Sequence, residues 1–390
     1  MGLTGEQVMT AEAVTRHQAG QPFGVPRHLY GPVVDFLCLG GVSFLLFPIV
    51  VLLPQQELAP AFAATALAAA HAINHPHFAF SYQIFYEGFL GKAFGAESER
   101  SLRARYVFAG IVVPLALVAF FAAALLSGDA RTLGQAGNVM SFLVGWHYVK
   151  QGYGMLMVDA ALKRQYFDAV EKRVLLVNCY ALWALSWLSI NSAVSERGLW
   201  GLQHYTFDVP TPVLGVAVVA AVTTSVMTLT VFVTRWRANG GRLPVNGVAA
   251  YVVSLYLWQL MMNWNLLWLL MVPALHSLQY MVVTSRYRTN RLKDAPDAQE
   301  SPRLRLMQRL FARRYRMRFC AFLLLGLAFG YAGFWGVPEF LQKVVPYDHA
   351  VFGPTAFLFV FWIFINVHHY FLDNVMWRSS NPDIRKYLFS

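Results

Sequence analysis

The chain has 390 residues, of which 57% are hydrophobic and 13% charged, and its mean hydropathy is +0.45. A soluble domain carries about 25% charged residues, so this composition excludes an ordinary soluble protein and predicts an integral membrane protein. The formal net charge of +11 does not indicate nucleic-acid binding. Its basic residues lie in short loops between apolar segments, where Lys and Arg mark the cytoplasmic side of a membrane.

Apolar segments of about 20 residues, the length needed to cross a bilayer, occur ten times. They predict an all-α, polytopic membrane protein with ten transmembrane helices. The predicted spans are 33–54, 60–85, 106–127, 138–160, 173–194, 213–234, 246–263, 264–285, 319–338 and 351–376. The seventh and eighth spans come from one continuous apolar stretch, which we divide at its only polar break, Asn263-Trp264-Asn265.

The loops between the predicted spans alternate in charge. GKAFGAESERSLRAR and RWRANGGR are basic, whereas PQQELAP and SGDARTLGQ are poor in positive charge. The positive-inside rule then predicts that both termini are cytoplasmic, in what we expect to be a bacterial inner membrane. The predicted regions are a cytoplasmic tail (1–32), an eight-helix membrane region (33–285), a basic cytoplasmic loop (286–318), the last two transmembrane helices (319–376) and a cytoplasmic tail (377–390). The basic loop either ends in an amphipathic helix on the inner leaflet or is an ordinary solvated loop.

Seven of the eleven histidines fall within the second, fourth, eighth and tenth spans, all of which run inward in this topology. At 1.5 Å per residue, His276 and His368 lie about 15 Å above the inner boundary, and His77 and His147 roughly 23 Å above it. An ionisable side chain in hydrocarbon needs a partner, so histidines at matching depth predict one shared site. The candidate metal ligands are His71, His75, His77, His147, His276, His368 and His369.

Each histidine group is accompanied by polar residues at helical spacing. We expect four of these residues to support the cofactor by fixing the ring tautomers: Gln151, Gln279, Asn366 and Asp373. His368 points about 100° away from His369, so the pair need not share one ion. Pro76 cannot donate a helix hydrogen bond, and the kink that this predicts would turn His77 toward the site.

Three further residues are candidates for a catalytic role. Tyr148 or Tyr280 would supply a proton. Lys150, a cation within a predicted span, would stabilise a developing oxyanion or bind an acidic head group. Its expected partner is Asp373 or Asp159, unless its side chain extends to the membrane interface.

Neutral imidazoles that converge from four helices suit a transition metal, because histidine is the common nitrogen ligand of iron, copper and zinc. The alternative is a set of histidines that are hydrogen-bonded across helices, each contributing about 1 kcal/mol. Seven histidines at matching depth favour the metal site over separate structural roles.

The histidine patterns H-x3-H-x-H at 71–77 and HH at 368–369 resemble those of membrane non-haem iron enzymes. That class includes fatty-acid desaturases and hydroxylases and the bacterial membrane β-carotene dioxygenases. The chain has no H-x-x-H-H motif, so the resemblance implies a mononuclear four-histidine site and not a desaturase-type di-iron site.

The resemblance implies a non-haem iron oxygenase that acts on an apolar, membrane-dissolved substrate such as an acyl lipid, a carotenoid or a quinone-like compound. Its expected partners are membrane lipids, this substrate and a redox partner. One alternative is an electron-transfer protein in which pairs such as His276 and His369 bind haem b axially, and copper is a further possible cofactor. Another is a transporter whose polar stripes line an ion or proton path.

Overall fold

The computed structural model describes residues 27–52, 54–95, 99–193, 197–199, 202–261, 266–294, 305–378 and 381–389. This part of the chain is helical apart from one antiparallel hairpin, formed by β1 (Arg197–Leu199) and β2 (Leu202–His204). Most of the predicted N-terminal tail, the predicted break at Asn263-Trp264-Asn265 and the middle of the basic loop lie outside the described residues.

The helices are labelled in chain order. The first six are α1 (Pro32–Leu52), α2 (Gln55–Ala69, Ala70–Asn74 and His75–Tyr86 in one run), α3 (Phe89–Phe94), α4 (Arg100–Leu126), α5 (Ala130–Leu162) and α6 (Ala169–Ala193). They are followed by α7 (Thr211–Ala238), α8 (Val245–Val252, Val253–Trp258 and Gln259–Met261), α9 (Leu266–Lys293) and α10 (Arg305–Tyr331, Ala332–Gly336 and Val337–Val344). The last three are α11 (His349–Phe352), α12 (Ala356–Met376) and α13 (Pro382–Leu388).

A helix overlies each of the ten predicted spans, but not all of these helices have the length and hydropathy of a membrane span. Among the described residues, six do: α1, α4, α6, α7, α12 and the Arg316–Val344 part of α10. The molecule is therefore a helical membrane protein, and its described residues include six apolar, membrane-length helices. The fold is all-helical, as predicted, apart from the short hairpin, which lies in a loop that we expect to be external.

Helix α12 lies at the centre of the molecule. In its most apolar part 67% of the residues are buried, compared with 17% to 33% in the other five apolar helices. It packs against α2, α4 and α5, while α9 packs against α1 and α2. The large apolar side chains on the outer helices α4, α7 and α10 remain exposed, as expected for surfaces that face lipid.

Helix α2 changes its hydrogen-bonding pattern just before the histidines that it carries toward the centre. Residues Ala70–Asn74 form a π-helical turn, and Pro76 stands at the start of the α-helical part that follows. Proline cannot donate to the preceding turn, so a wider turn is accommodated here. Helix α10 approaches this point closely at Gly330, where a Cβ would meet the carbonyl carbon of His75 at 2.7 Å and the nitrogen of Pro76 at 2.9 Å.

Candidate metal centre

Four histidine side chains from four helices form a closed ring in the protein interior: His77 of α2, His147 of α5, His276 of α9 and His369 of α12. The ring centroids of successive members lie 4.8 Å (His77–His369), 5.0 Å (His369–His147), 4.9 Å (His147–His276) and 5.5 Å (His276–His77) apart. Neighbouring imidazoles are steeply inclined, at 68° to 90°. Each imidazole thus contacts two others around a common centre.

Several nitrogens of this ring are buried without a hydrogen-bond partner among the described residues. They are Nε2 of His147, both ring nitrogens of His276 and Nδ1 of His369. Leaving one buried polar atom unsatisfied costs about 1–3 kcal/mol, so four of them in one place are a substantial cost to the metal-free fold. A metal ion that accepts nitrogen lone pairs would offset this cost.

The protonation of His77 can be inferred from its neighbours. Its Nδ1 lies 2.7 Å from the carbonyl oxygen of Asn74 and 2.8 Å from the hydroxyl of Ser277. Because a carbonyl oxygen only accepts, Nδ1 carries the proton, and Nε2 of the neutral ring presents a lone pair. That Nε2 lies 3.2 Å from Nε2 of His369. Two converging nitrogens, one without a proton, are the arrangement that a shared cation stabilises.

Asp373 lies within the cluster of the four histidines itself. The sequence had predicted that it supports the histidines from outside by fixing their tautomers. Its Oδ2 lies 3.4 Å from Nε2 of His369 and 3.7 Å from Nε2 of His147. Together, these two histidines and Asp373 present ligand atoms within 4.8 Å of one another. The carboxylate lies on α12 one turn beyond His369 and is 6% exposed. A buried carboxylate beside neutral imidazoles is stabilised by a cation.

The second oxygen of Asp373 is held by a hydrogen-bonded group around Tyr280. The Tyr280 hydroxyl donates to Oδ1 of Asp373 at 3.1 Å, and the indole nitrogen of Trp377 donates to the same hydroxyl at 3.1 Å. Ser81 lies 2.5 Å from this hydroxyl. Tyr280 therefore lies beside the centre, as predicted for a proton donor, but its geometry is that of a residue that positions Asp373.

His71 and His75 are not part of the cluster, in contrast to their prediction as metal ligands. They pack against each other at 5.2 Å, and against the aromatic residues of α10. The ring of His75 stacks on Phe334 at 4.3 Å, and the ring of His71 stacks on Trp335 at 5.6 Å. His75 and His77 belong to the same α-helical segment, and two residues change the direction of a side chain by about 200°, so His77 faces the centre while His75 faces α10.

His368 also lies outside the cluster, because it points away from His369 as the helical angle of about 100° requires. Its Nε2 donates to the carbonyl oxygen of Ala109 at 3.0 Å, and its Nδ1 accepts from the hydroxyl of Tyr82 at 2.8 Å. Both nitrogens are satisfied, so His368 joins α12 to α4 and α2 and has no lone pair for a metal.

Lys150 does not form the predicted ion pair with Asp373 or with Asp159. Its ammonium group donates to the side-chain oxygen of Asn374, and Asp159 instead accepts from Lys163 at 2.8 Å. Tyr148 packs its ring on His276, with centroids 4.3 Å apart. Tyr148 thus covers one side of the centre. Lys150 lies three residues, or about one helical turn, after His147 on α5.

The predicted amide residues donate hydrogen bonds to backbone carbonyl groups, which joins or supports helices. Gln151 donates to the carbonyl oxygen of His276 and to the side-chain oxygen of Gln279, both at 3.0 Å. Gln279 in turn donates to the carbonyl oxygen of Leu39. Asn366 donates to the carbonyl oxygen of Trp362 within its own helix, and its predicted role beside His369 stays a prediction.

Four residues around the centre were missed by the sequence reasoning: Asn74, Ser81, Ser277 and Trp377. The first two stand three residues before and four residues after His77, at the spacing that places side chains on one helical face. The histidines were a clear signal because ionisable residues are rare in apolar segments, whereas small polar residues are common there. The same spacing test applied to Ser and Asn would have found two of the four.

Comparisons with protein-family models, with curated proteins and with solved structures find no match to this chain. The interpretation of the centre therefore depends on its own geometry.

Proposed function

We propose that this protein is a membrane-embedded oxidoreductase that uses non-haem iron to oxidise an apolar, membrane-dissolved substrate with dioxygen. Four histidines would hold the metal: His77, His147, His276 and His369. Asp373 would be a fifth ligand or its neutralising carboxylate. The finer topology, with ten crossings, both termini in the cytoplasm and a bacterial inner membrane, belongs to the same proposal.

The observation that carries the proposal is the closed ring of imidazoles with unpartnered, buried nitrogens. Hydrogen-bonded structural histidines would look like His368, whose two nitrogens both have partners. Nitrogen ligands with one carboxylate are typical of iron, copper and zinc centres, and softer thiolate ligands are not part of this cluster. Non-haem iron with such ligands supplies redox chemistry toward dioxygen at its open positions.

Haem b fits the same residues less well. In an axial arrangement the macrocycle lies between two histidines, for example His276 and His369. Here the rings of His77 and His147 each contact both of those residues, so a macrocycle between them would have to displace two further imidazoles. The ring geometry therefore favours a single ion over a porphyrin.

The residues around the ring suggest how the chain supports this chemistry. Phe78 packs on His77 at 4.0 Å and on His369 at 4.7 Å, and Tyr148 packs on His276. These aromatic rings exclude water from the ligands, which strengthens the electrostatic interaction between cation and carboxylate. Tyr280 holds Asp373 in place and is close enough to exchange a proton with its carboxylate.

The experiment compares adjacent histidines on α12. His369→Gln removes a ring member, while His368→Gln removes an equally buried histidine outside the ring, since both are 2% exposed. The purified wild-type protein should contain iron and show no Soret band. His369→Gln should lose most of the iron, and His368→Gln should retain it while losing about 1–3 kcal/mol of stability from unsatisfied partners.

Activity is measured separately, as dioxygen uptake in the presence of acyl lipids, carotenoids and quinones. We expect uptake with at least one of these substrates, and its loss in His369→Gln but not in His368→Gln. A Soret band would favour the electron-transfer alternative. A metal-free wild type, or equal metal content in both variants, would overturn the iron centre and favour transport.

A further inference from the structure

Two shallow grooves lie side by side on the surface of α4, near its first turns. One, of about 450 Å³, runs between α3 and α4 and has an apolar wall that includes Phe94 and Val112. The other, of about 350 Å³, runs between α4 and α12, and its apolar wall includes Phe371. Ala104 and Phe108 line both grooves, so Phe108 forms the ridge between them.

Both grooves carry arginines and no acidic residue among their lining residues. Arg100 and Arg103 line the first groove, and Arg105 and Arg378 line the second. Arg378 is fixed in place, because its Nε donates to the carbonyl oxygen of Asn374 at 2.8 Å. Burial and the neighbouring Arg105 guanidinium lower the pKa of Arg378, which shows that the two positive charges repel each other.

The grooves lie where a membrane lipid can enter them. Helix α4 begins at Arg100, and α12 ends at Met376, two residues before Arg378. In the proposed topology both ends are cytoplasmic, so the arginines stand at the level of the inner-leaflet head groups. Phe108 is 50% exposed, which leaves the ridge accessible from the bilayer.

We propose that an anionic phospholipid of the inner leaflet binds here, with its phosphate between Arg105 and Arg378 and its acyl chains in the two grooves on either side of Phe108. The planar guanidinium group matches the geometry of a phosphate and binds it with two parallel hydrogen bonds. The two apolar grooves, separated by one ridge, suit a ligand with two chains. This lipid site rests on the topology in the proposed function but does not depend on the metal centre.

The test uses the full-length protein in nanodiscs that contain equal amounts of phosphatidylglycerol and phosphatidylcholine. Native mass spectrometry of the released protein counts the phospholipids that remain bound. The wild type should retain one phosphatidylglycerol in preference to phosphatidylcholine. The double variant Arg105→Gln/Arg378→Gln should weaken this retention by about 30-fold, because each arginine near an anionic lipid contributes a factor of several.

A matched control removes two arginines elsewhere on the predicted cytoplasmic side. Arg237 and Arg242 are exposed and line neither groove, so Arg237→Gln/Arg242→Gln should leave the retention unchanged. A second variant, Ala104→Trp, fills the wall that both grooves share without changing any charge. This variant should retain less of the lipid, and inorganic phosphate should not displace the lipid that remains bound.

The proposal fails if the two arginine double variants weaken retention equally, since the effect is then general surface charge. Equal retention of phosphatidylcholine would also overturn it, because the arginines would not recognise the head group. Complete displacement of the lipid by millimolar inorganic phosphate would show an anion site without a role for the acyl chains. Metal content is measured in each variant, so failure of this site is distinguishable from failure of the iron centre.

Discussion

The replacement Asp373→Asn distinguishes a metal-ligating carboxylate from a structural one. The substitution conserves shape and retains an oxygen to accept from Tyr280, but it removes the charge from the Oδ2 position, which lies 3.4 Å and 3.7 Å from two imidazole nitrogens. We expect the substitution to change the stability of the metal-loaded protein and of the metal-free protein in different directions. The metal-loaded variant should be less stable than the loaded wild type, and the metal-free variant at least as stable as the metal-free wild type.

The magnitude follows from binding linkage. At a free metal concentration one hundred times the dissociation constant, binding stabilises the fold by about 2.7 kcal/mol. If loss of the carboxylate weakens affinity by about 100-fold, the remaining stabilisation at the same concentration is about 0.4 kcal/mol, a loss of roughly 2 kcal/mol. In the metal-free protein a buried charge disappears at little cost in hydrogen bonds, so no such loss is expected.

The assay is thermal unfolding in detergent with and without chelator, combined with metal analysis. Asp159→Asn is the matched control, because Asp159 is also a buried aspartate (3% exposed) but is bonded to Lys163 and to the backbone nitrogen of Gly247. That variant should lose stability equally in both forms and keep its metal. The reasoning is refuted if Asp373→Asn keeps full metal, or if it destabilises the metal-free protein as much as Asp159→Asn does.

Three further predictions concern the ring, the packing and the topology. His276→Ala and His369→Ala should each remove most of the metal, and the double variant should lose little more, because ligands of one ion act as a unit. Additive destabilisation with the metal retained would contradict this prediction. Gly330→Leu should destabilise the protein by about 1–3 kcal/mol through overpacking against α2, whereas Gly215→Leu, with no atom within 4 Å of its Cβ position, should have little effect in the same unfolding assay. Reporter tags at residue 300 and at the C-terminus should both lie in the cytoplasm, and an external C-terminus would contradict the predicted topology.

Composition and periodicity were sufficient to predict the helices. Apolar segments of membrane length are a strong signal, and a helix overlies each predicted span. Charge alternation between loops predicts an orientation, but six of these helices have the length and hydropathy of a membrane span among the described residues. The other four include α2 and α5, which carry His77 and His147.

The candidate site was predicted in its helices but not in all of its members. Matching depth correctly grouped the helices of His77, His147, His276 and His369, because depth depends only on the helical rise. Which neighbour faces inward depends on rotation, and one residue changes the direction by about 100°. For His368 and His369, sequence spacing indicated that the two imidazoles point in different directions. Packing decided that His369, and not His368, joins the four-histidine cluster.

On α2 the three histidines divide between two faces. His75 and His77 lie on the same α-helical segment, and two residues change the direction of a side chain by about 200°. His71 and His75 share one face, as their spacing predicted, but that face packs on α10, and only His77 faces the site. Pro76 was a usable signal, since it marked the place where the helix departs from ideal geometry.

The contact between His77 and His369 joins residues that are 292 positions apart in the chain. At about 5–20 residues per second, a ribosome takes roughly 15 to 60 s to synthesise the intervening segment. During that interval His77 is already made while its partner is not, so the ring is incomplete until α12 has been inserted. If the ring binds the proposed metal, complete loading would have to follow the insertion of α12, and a chain terminated before α12 would lack both His369 and Asp373.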